Sequence, residues 1–369
     1  MVEGFAFPLG VYPVEAMTPK PGYTIQFEPA DGDDEEGEWE EWPDRYVFDI
    51  VLPATRTPLF CHLALATMTE RLYPILDVLG QDAYREIDPY ISYDLVGQDR
   101  ILDAWRKYQD FFFEDGLVGF GAMSEEPFSY LFVDEHKIVT IRVEPQMKEK
   151  IERLLRSFGI EPMEDPAGAD AAAHEHRGVL MAPESQPELL TFEEIVEALK
   201  VDWQLLLNID PDRNVDDEGK DLGVTHWRCV VRVETDQNQI KYAEVILDAD
   251  CLRAAEEGAL EAAEASDGAQ DLVVEDVRVI EHDRLAEEQL REGLARYNIK
   301  PGGDKAAEGD GESPKNAKGS GNGGQGAKGS GSSGGSGGGS GGGSGGGSGG
   351  PKRGPRPRAG QVHSVRWLE

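Results

Sequence analysis

The sequence predicts an α+β protein: two small mixed domains, each a sheet with helices on one face, then a disordered Gly/Ser tether and a basic tail. Three observations predict this. Alternating β-rich segments and helical apolar stripes interleave as far as residue 299. Composition then collapses, with 26 of the 44 glycines lying between Pro301 and Glu369. Charge divides at the same place. Residues 301–369 hold nine Lys/Arg and five Asp/Glu, a net +4 within a chain of net −35. Residues 1–300 therefore carry −39, with 27 basic against 66 acidic side chains.

The elements of the first domain, residues 1–160, follow in order. Tyr23–Phe27 alternates and Tyr46–Leu52 is β-rich, bounded by Pro53, so both are expected strands. Between them lies an acidic segment, Asp31–Trp42, which is expected as an exposed loop because so many carboxylates cannot be buried. A helical pattern is expected from Phe60 to Leu79, divided by Pro74. A better helix spans Arg100 to Glu114, where Ile101, Trp105, Tyr108 and Phe112 form one apolar stripe of core character. Strands are expected at Leu117–Met123, Phe128–Val133 and Ile138–Val143, the last two joined by the hairpin loop Asp134-Glu-His-Lys137. A helix from Met147 to Phe158 stops at Gly159.

Residues 161–188, rich in Ala, Pro and Glu, are expected to form an interdomain linker. The second domain, residues 189–299, opens on a capping box, Thr191 with Glu194, ahead of Ile195, Val196 and Leu199. Strands at Val201–Ile209, His226–Glu234 and Lys241–Leu247 follow, then a helix at Leu252–Ala265, a strand at Leu272–Ile280 and a helix at Arg284–Tyr297. This order is superficially similar to a double-stranded-RNA-binding domain, but the surface here would be acidic where RNA needs cations, which excludes that reading.

Residues 300–350 are nearly free of large apolar side chains and are expected to be disordered. Residues 329–350 are Gly and Ser alone and should span roughly 25 Å as a random coil. Their Gly-Gly-Gly-Ser repetition has the form of a fusion linker, whereas Lys315–Lys328 has the irregularity of natural low complexity. Residues 351–369 form the basic tail. Its Arg-Gly-Pro-Arg-Pro is similar to the Arg-Gly-Arg-Pro core of AT-hook peptides, which lie in the DNA minor groove, with Pro355 interrupting the core.

Several classes of chemistry are excluded or weakened. The three cysteines, Cys61, Cys229 and Cys251, are too scattered for a disulfide scaffold or a Cys-built zinc site. The amino terminus lacks the basic and apolar regions of a signal peptide, and no run approaches a membrane-spanning length, so a cytoplasmic protein is expected. The glycine motifs at Gly319–Gly324 and Gly338–Gly342 neither follow a strand nor open a helix, and they carry no weight as phosphate or nucleophile loops. His174 and His176 are the only close histidine pair, and nothing adjacent in sequence supplies a third ligand. Carboxylates are so abundant that none can be singled out as a general acid or base, which points away from an enzyme without deciding the matter.

The most specific local pattern is Asp210–Asp221. Asp210, Asp212, Asn214, Asp216, Glu218 and Asp221 occupy positions 1, 3, 5, 7, 9 and 12 of a calcium loop and resemble an EF-hand in part. Val215 stands where the sharp turn needs glycine, and Asp221 is shorter than the usual bidentate Glu. Calcium is the one cofactor this suggests; an acidic hairpin loop without metal is the other reading.

Partner binding is the function that charge and layout favour. An acidic body attracts cations, and the tail offers Lys352, Arg353, Arg356, Arg358 and Arg366 with Trp367. Val362, Val365, Trp367 and Leu368 give that tail an apolar patch. Trp39 and Trp42 are candidate docking residues on which an arginine could stack, or else they fold back onto the body. The leading expectation is a non-enzymatic binding or regulatory protein whose body accepts a cationic-aromatic peptide, its own tethered tail or a partner's. A nucleic-acid-associated factor, contacting phosphates through the tail, is the alternative. An enzyme whose site the sequence does not reveal is the third.

Overall fold

A computed structural model describes residues 4–30, 42–181, 186, 189–236, 239–266, 268, 274–296 and 359–368. The expected tether and the tail residues Lys352, Arg353, Arg356 and Arg358 lie outside the described residues, as does Trp39. The class is α+β.

In chain order the first elements are β1 (Val11–Pro13), β2 (Gly22–Glu28), β3 (Arg45–Val51), α1 (Thr57–Leu65), β4 (Arg71–Leu79), β5 (Ile87–Ser92) and β6 (Val96–Gly97). Next come α2 (Gln98–Lys107), α3 (Gln109–Phe113), β7 (Val118–Glu125), β8 (Phe128–Val133), β9 (Val139–Val143) and α4 (Lys148–Ser157). The remainder is β10 (His174–His176), α5 (Phe192–Trp203), β11 (Leu205–Leu207), β12 (Thr225–Thr235), β13 (Ile240–Ala249), α6 (Leu252–Glu264), β14 (Val274–Leu285), α7 (Glu287–Arg296) and β15 (Val362–Leu368).

The large sheet runs β11-β5-β4-β7-β8-β9-β3-β2, with β6 beside β4. Its core is aromatic: Trp105, Phe111, Phe112, Phe113 and Phe120 are fully buried and meet largely edge to face. Two expectations change here. Arg71–Leu79 is a strand, not the second half of a helix, because Leu72, Pro74, Leu76 and Val78 alternate into the core. Pro74 is tolerated because β6 pairs with β4 only up to Leu72 and β5 pairs with it only from Ile75 on, leaving β7 as its strand neighbour. The helix expected at 100–114 breaks at Tyr108 into α2 and α3, although its stripe is core as expected.

β10, α5 and β11 are tied to this first body. Within the expected linker, β10 pairs antiparallel with β1. The capping box of Thr191 and Glu194 is formed and starts α5, whose Ile195, Val196, Leu199 and Trp203 enter the aromatic core. Phe112 stacks on Trp203 at 5.8 Å. Gln204 adopts a left-handed conformation (φ 55°), ends the helix and shortens the strand expected at Val201–Ile209 to β11, which pairs with β5.

The smaller sheet has the order β14-β12-β13-β15. Trp227, Cys229, Val231 and Val233 of β12 face α6, as their alternation predicts. Leu290 and Leu294 of α7 pack with Ile246. β14 extends to Leu285, past the expected Ile280, so α7 begins at Glu287. Buried Arg284 donates to both carboxylate oxygens of buried Asp82 at 3.0 Å and to Asn214 Oδ1 at 3.1 Å, joining the smaller sheet to the turn before β5. No helix among the described residues is long and apolar enough to cross a membrane.

Candidate functional site

The outer edge of β13 is where the carboxy-terminal tail docks. β13 is ten residues long and rich in branched apolar residues, so its unpaired edge would be a template for another strand. The tail takes that place: β15 pairs antiparallel with β13, with Leu368 opposite Tyr242, Trp367 opposite Ala243, Arg366 opposite Glu244 and Val365 opposite Val245. The register slips once, between Ile246 and Leu247.

Three features make this more than backbone pairing. First, Val365 and Trp367 lie two residues apart and both pack on the cluster formed by β12, β13 and α6. Second, the indole of Trp367 has a seat of its own. Its N–H donates to Ser266 Oγ at 2.9 Å, just beyond the end of α6. The ring lies so close to Gly268 that an added Cβ would meet Nε1 at 2.0 Å, so the indole can be seated only while this position is glycine. Third, buried Asp248 holds the start of the strand. Its Oδ1 accepts from His226 Nδ1 at 2.6 Å and from His363 Nε2 at 2.7 Å. Its backbone N–H donates to Gln361 O and its carbonyl accepts from Gly360, each at 2.8 Å. Gly360 sits at φ +77°, where a side chain would strain the turn. His226, Asp248 and His363 also form a group of metal-ligand type, but the ring nitrogens that face Asp248 donate to it, which makes the group an anchor for the tail.

Trp42 stands on the large sheet. Its ring packs against Phe128 at 5.2 Å and Tyr130 at 5.8 Å, with Arg45 and Arg142 over it at 5.1 and 4.9 Å. The body's own guanidinium groups thus stack on this indole, while the tail strand belongs to the smaller sheet.

The Asp210–Asp221 loop does not gather its six oxygens. Asp212 pairs with Arg253, Asp216 and Asp221 accept from amides of their own loop, and buried Asn214 is turned to Gly223 O, Thr225 and Arg284. Turn formation is the work these side chains do.

A polar cleft of about 400 Å³ lies where α5, β4 and β5 meet β12 and β14, lined in part by Tyr90, Lys200, Arg228 and Asp283. Burial, aided by Asp88 and Glu281 and opposed by Arg228, pushes the Asp283 carboxyl up to about 6. A perturbed acid in a cleft is a mark of reactive sites. Here the cations are already matched: Arg228 donates to Glu244, Glu281 and Asp283, and Lys200 to Glu197 and Ile280 O.

Sequence reading placed Arg366 and Trp367 in the partner-binding set; Trp367 is in the seat described above, and Arg366 lies on β15 opposite Glu244. It missed Ser266, Gly268 and Asp248, because their role depends on a pairing between segments more than a hundred residues apart. Comparison of the chain with protein-family models, curated proteins and solved structures finds no match.

Proposed function

We propose that the protein is a non-enzymatic binding module in which the β13 edge accepts an extended cationic-aromatic strand, supplied by its own tail or by a partner. The seat of Trp367 carries this reading: a hydrogen bond to Ser266 and a glycine whose missing Cβ leaves room for the ring give an aromatic side chain a specific place beside the edge. Backbone pairing supplies affinity and the side-chain seats supply selectivity, as in other strand-addition modes. Charge supports the same conclusion, since Arg366 lies opposite Glu244.

Covalent attachment raises the tail's local concentration to about the millimolar range, so even a weak site would be filled in cis. A partner strand must then displace the tail, which makes the tail a competitive regulator of the site. The test is a fluorescent peptide of residues 351–369 titrated into the full chain carrying Val365→Asp and Trp367→Ala. Binding to this vacated site, with much weaker binding to the wild type, is expected. Equal binding to both, or none to the variant, contradicts the reading. A parallel titration of duplex DNA across a salt series tests the alternative, in which the tail contacts phosphates.

A further inference from the structure

On the opposite body of the protein, three histidines meet that the sequence separates. His174 and His176 are alternate residues of β10, held opposite Pro13 and Val11 of β1. Alternation on a strand puts both rings on one face. The third, His136, comes from the hairpin loop between β8 and β9. That loop is tightly built. Asp134 N–H donates to Ile138 O at 3.1 Å, Ile138 N–H to Asp134 Oδ1 at 2.7 Å, and Lys137 N–H to Asp134 O at 3.0 Å. Lys137 takes a left-handed conformation (φ 65°) that turns its side chain inward, and its buried ammonium donates to Val118 O.

The outer nitrogen of each ring is spoken for. His174 Nδ1 lies 2.8 Å from Ala172 O, and His176 Nδ1 lies 2.8 Å from Gly116 O. A carbonyl only accepts, so each Nδ1 carries the proton and each Nε2 presents a lone pair. His136 Nδ1 lies 3.3 Å from Asp134 Oδ2 and 3.4 Å from Glu135 Oε1, which fixes it the same way. The ring centroids are 4.8, 4.8 and 5.0 Å apart, and one ligand atom from each ring lies within 4.8 Å of the others. His136 Nε2 and His174 Nε2 face each other at 3.1 Å. Two lone pairs at that distance repel, and a cation between them turns the repulsion into coordination. A tetrahedral zinc ion with bonds of about 2.0–2.1 Å places neighbouring nitrogens about 3.3 Å apart.

We propose that His136, His174 and His176 bind one divalent transition ion of the zinc class. Three neutral imidazoles suit such an ion, and each ring is oriented by a carbonyl or carboxylate behind it, the outer-shell pattern of built metal centres. The three nitrogens leave a fourth position of a tetrahedral ion for water or an exogenous anion. The ion would clamp the two-stranded β1–β10 sheet to the β8–β9 hairpin of the large sheet.

The full chain, stripped with chelator, is titrated with zinc by calorimetry and with cobalt(II) by visible absorption. One bound equivalent and the intense bands of tetrahedral cobalt are expected. His136→Gln, His174→Gln and His176→Gln should each lose that equivalent while keeping the wild-type far-UV circular dichroism. His226→Gln and His363→Gln, at the Asp248 anchor, should retain it. X-ray absorption on the zinc-loaded wild type, independent of any variant, should report a shell with three imidazole nitrogens. A wild type that binds no zinc overturns the proposal and leaves a shared proton between His136 and His174. A sulfur-rich shell, or full binding by the His136, His174 and His176 variants, overturns it equally.

Discussion

The indole N–H of Trp367 donates to Ser266 Oγ at 2.9 Å, joining the last strand of the chain to the end of α6 across 101 residues of sequence. Beside that bond lies Gly268, with no room for a Cβ. An aromatic ring, a hydroxyl and a glycine thus form a seat beside a sheet edge, and the expected behaviour of the tail can be derived from it.

Gly268→Val places a branched side chain where the indole lies. The tail strand should leave the edge while the rest of the smaller sheet survives, since Gly268 stands outside its strands. Limited proteolysis should cut within residues 359–368 of the variant and spare them in the wild type. An uncut variant would show that the seat does not hold the tail.

Asp248→Ala removes the acceptor shared by His226 and His363. Hydrogen bonds to a charged group contribute about 1.5–3 kcal/mol each, and the imidazoles left behind regain part of this from water. Tail docking should weaken by about 1–3 kcal/mol, read as faster exchange of the 362–368 amides with global melting little changed.

How far these features could be read from sequence depended on the range of the contacts involved. The capping box at Thr191 and Glu194, the alternation of β12 and the Gly159 stop (φ +63°) are local, and each was legible. Arg71–Leu79 misled because a proline inside an apolar run suits a broken helix as well as a strand; only its neighbours decide. His174 and His176 read as an isolated pair because His136 reaches them through pairing of β10 with β1, a long-range event that a three-residue strand does not announce. The tail's Val362, Val365 and Trp367 were visible as an apolar patch, and their partner strand was not.

The Asp82–Arg284 pair makes a prediction about the joint between the two sheets. Both side chains are almost fully buried, so Asp82→Ala strands a guanidinium and should cost about 3–5 kcal/mol in denaturant unfolding. Asp82→Leu with Arg284→Met should recover most of that loss, because the pair has to be desolvated and the apolar replacement does not. A double variant as unstable as the single one would contradict this.

Asp283 predicts a pH dependence. Burial holds its carboxyl up at about 6, above the ordinary 3.8. Between those values the folded chain keeps a proton that the unfolded chain has released, so stability rises as pH falls through 6 and levels off below about 4. The contribution is about 2–3 kcal/mol at most. Asp283→Asn should flatten the profile in that window. Asp77, raised to about 6 chiefly by burial, preserves part of the slope. An unchanged profile in the variant would show that Asp283 is not the group that titrates.

We hold that the tail occupies the β13 edge, and amide hydrogen exchange along that strand reads this occupancy. In the intact wild type, the amides of residues 242–247 that face the tail should be protected and exchange slowly. In the full chain carrying Val365→Asp and Trp367→Ala those same amides should exchange much faster, with β12 unchanged, and added 351–369 peptide should restore their protection. Equal exchange at 242–247 in the wild type and the variant would contradict the claim.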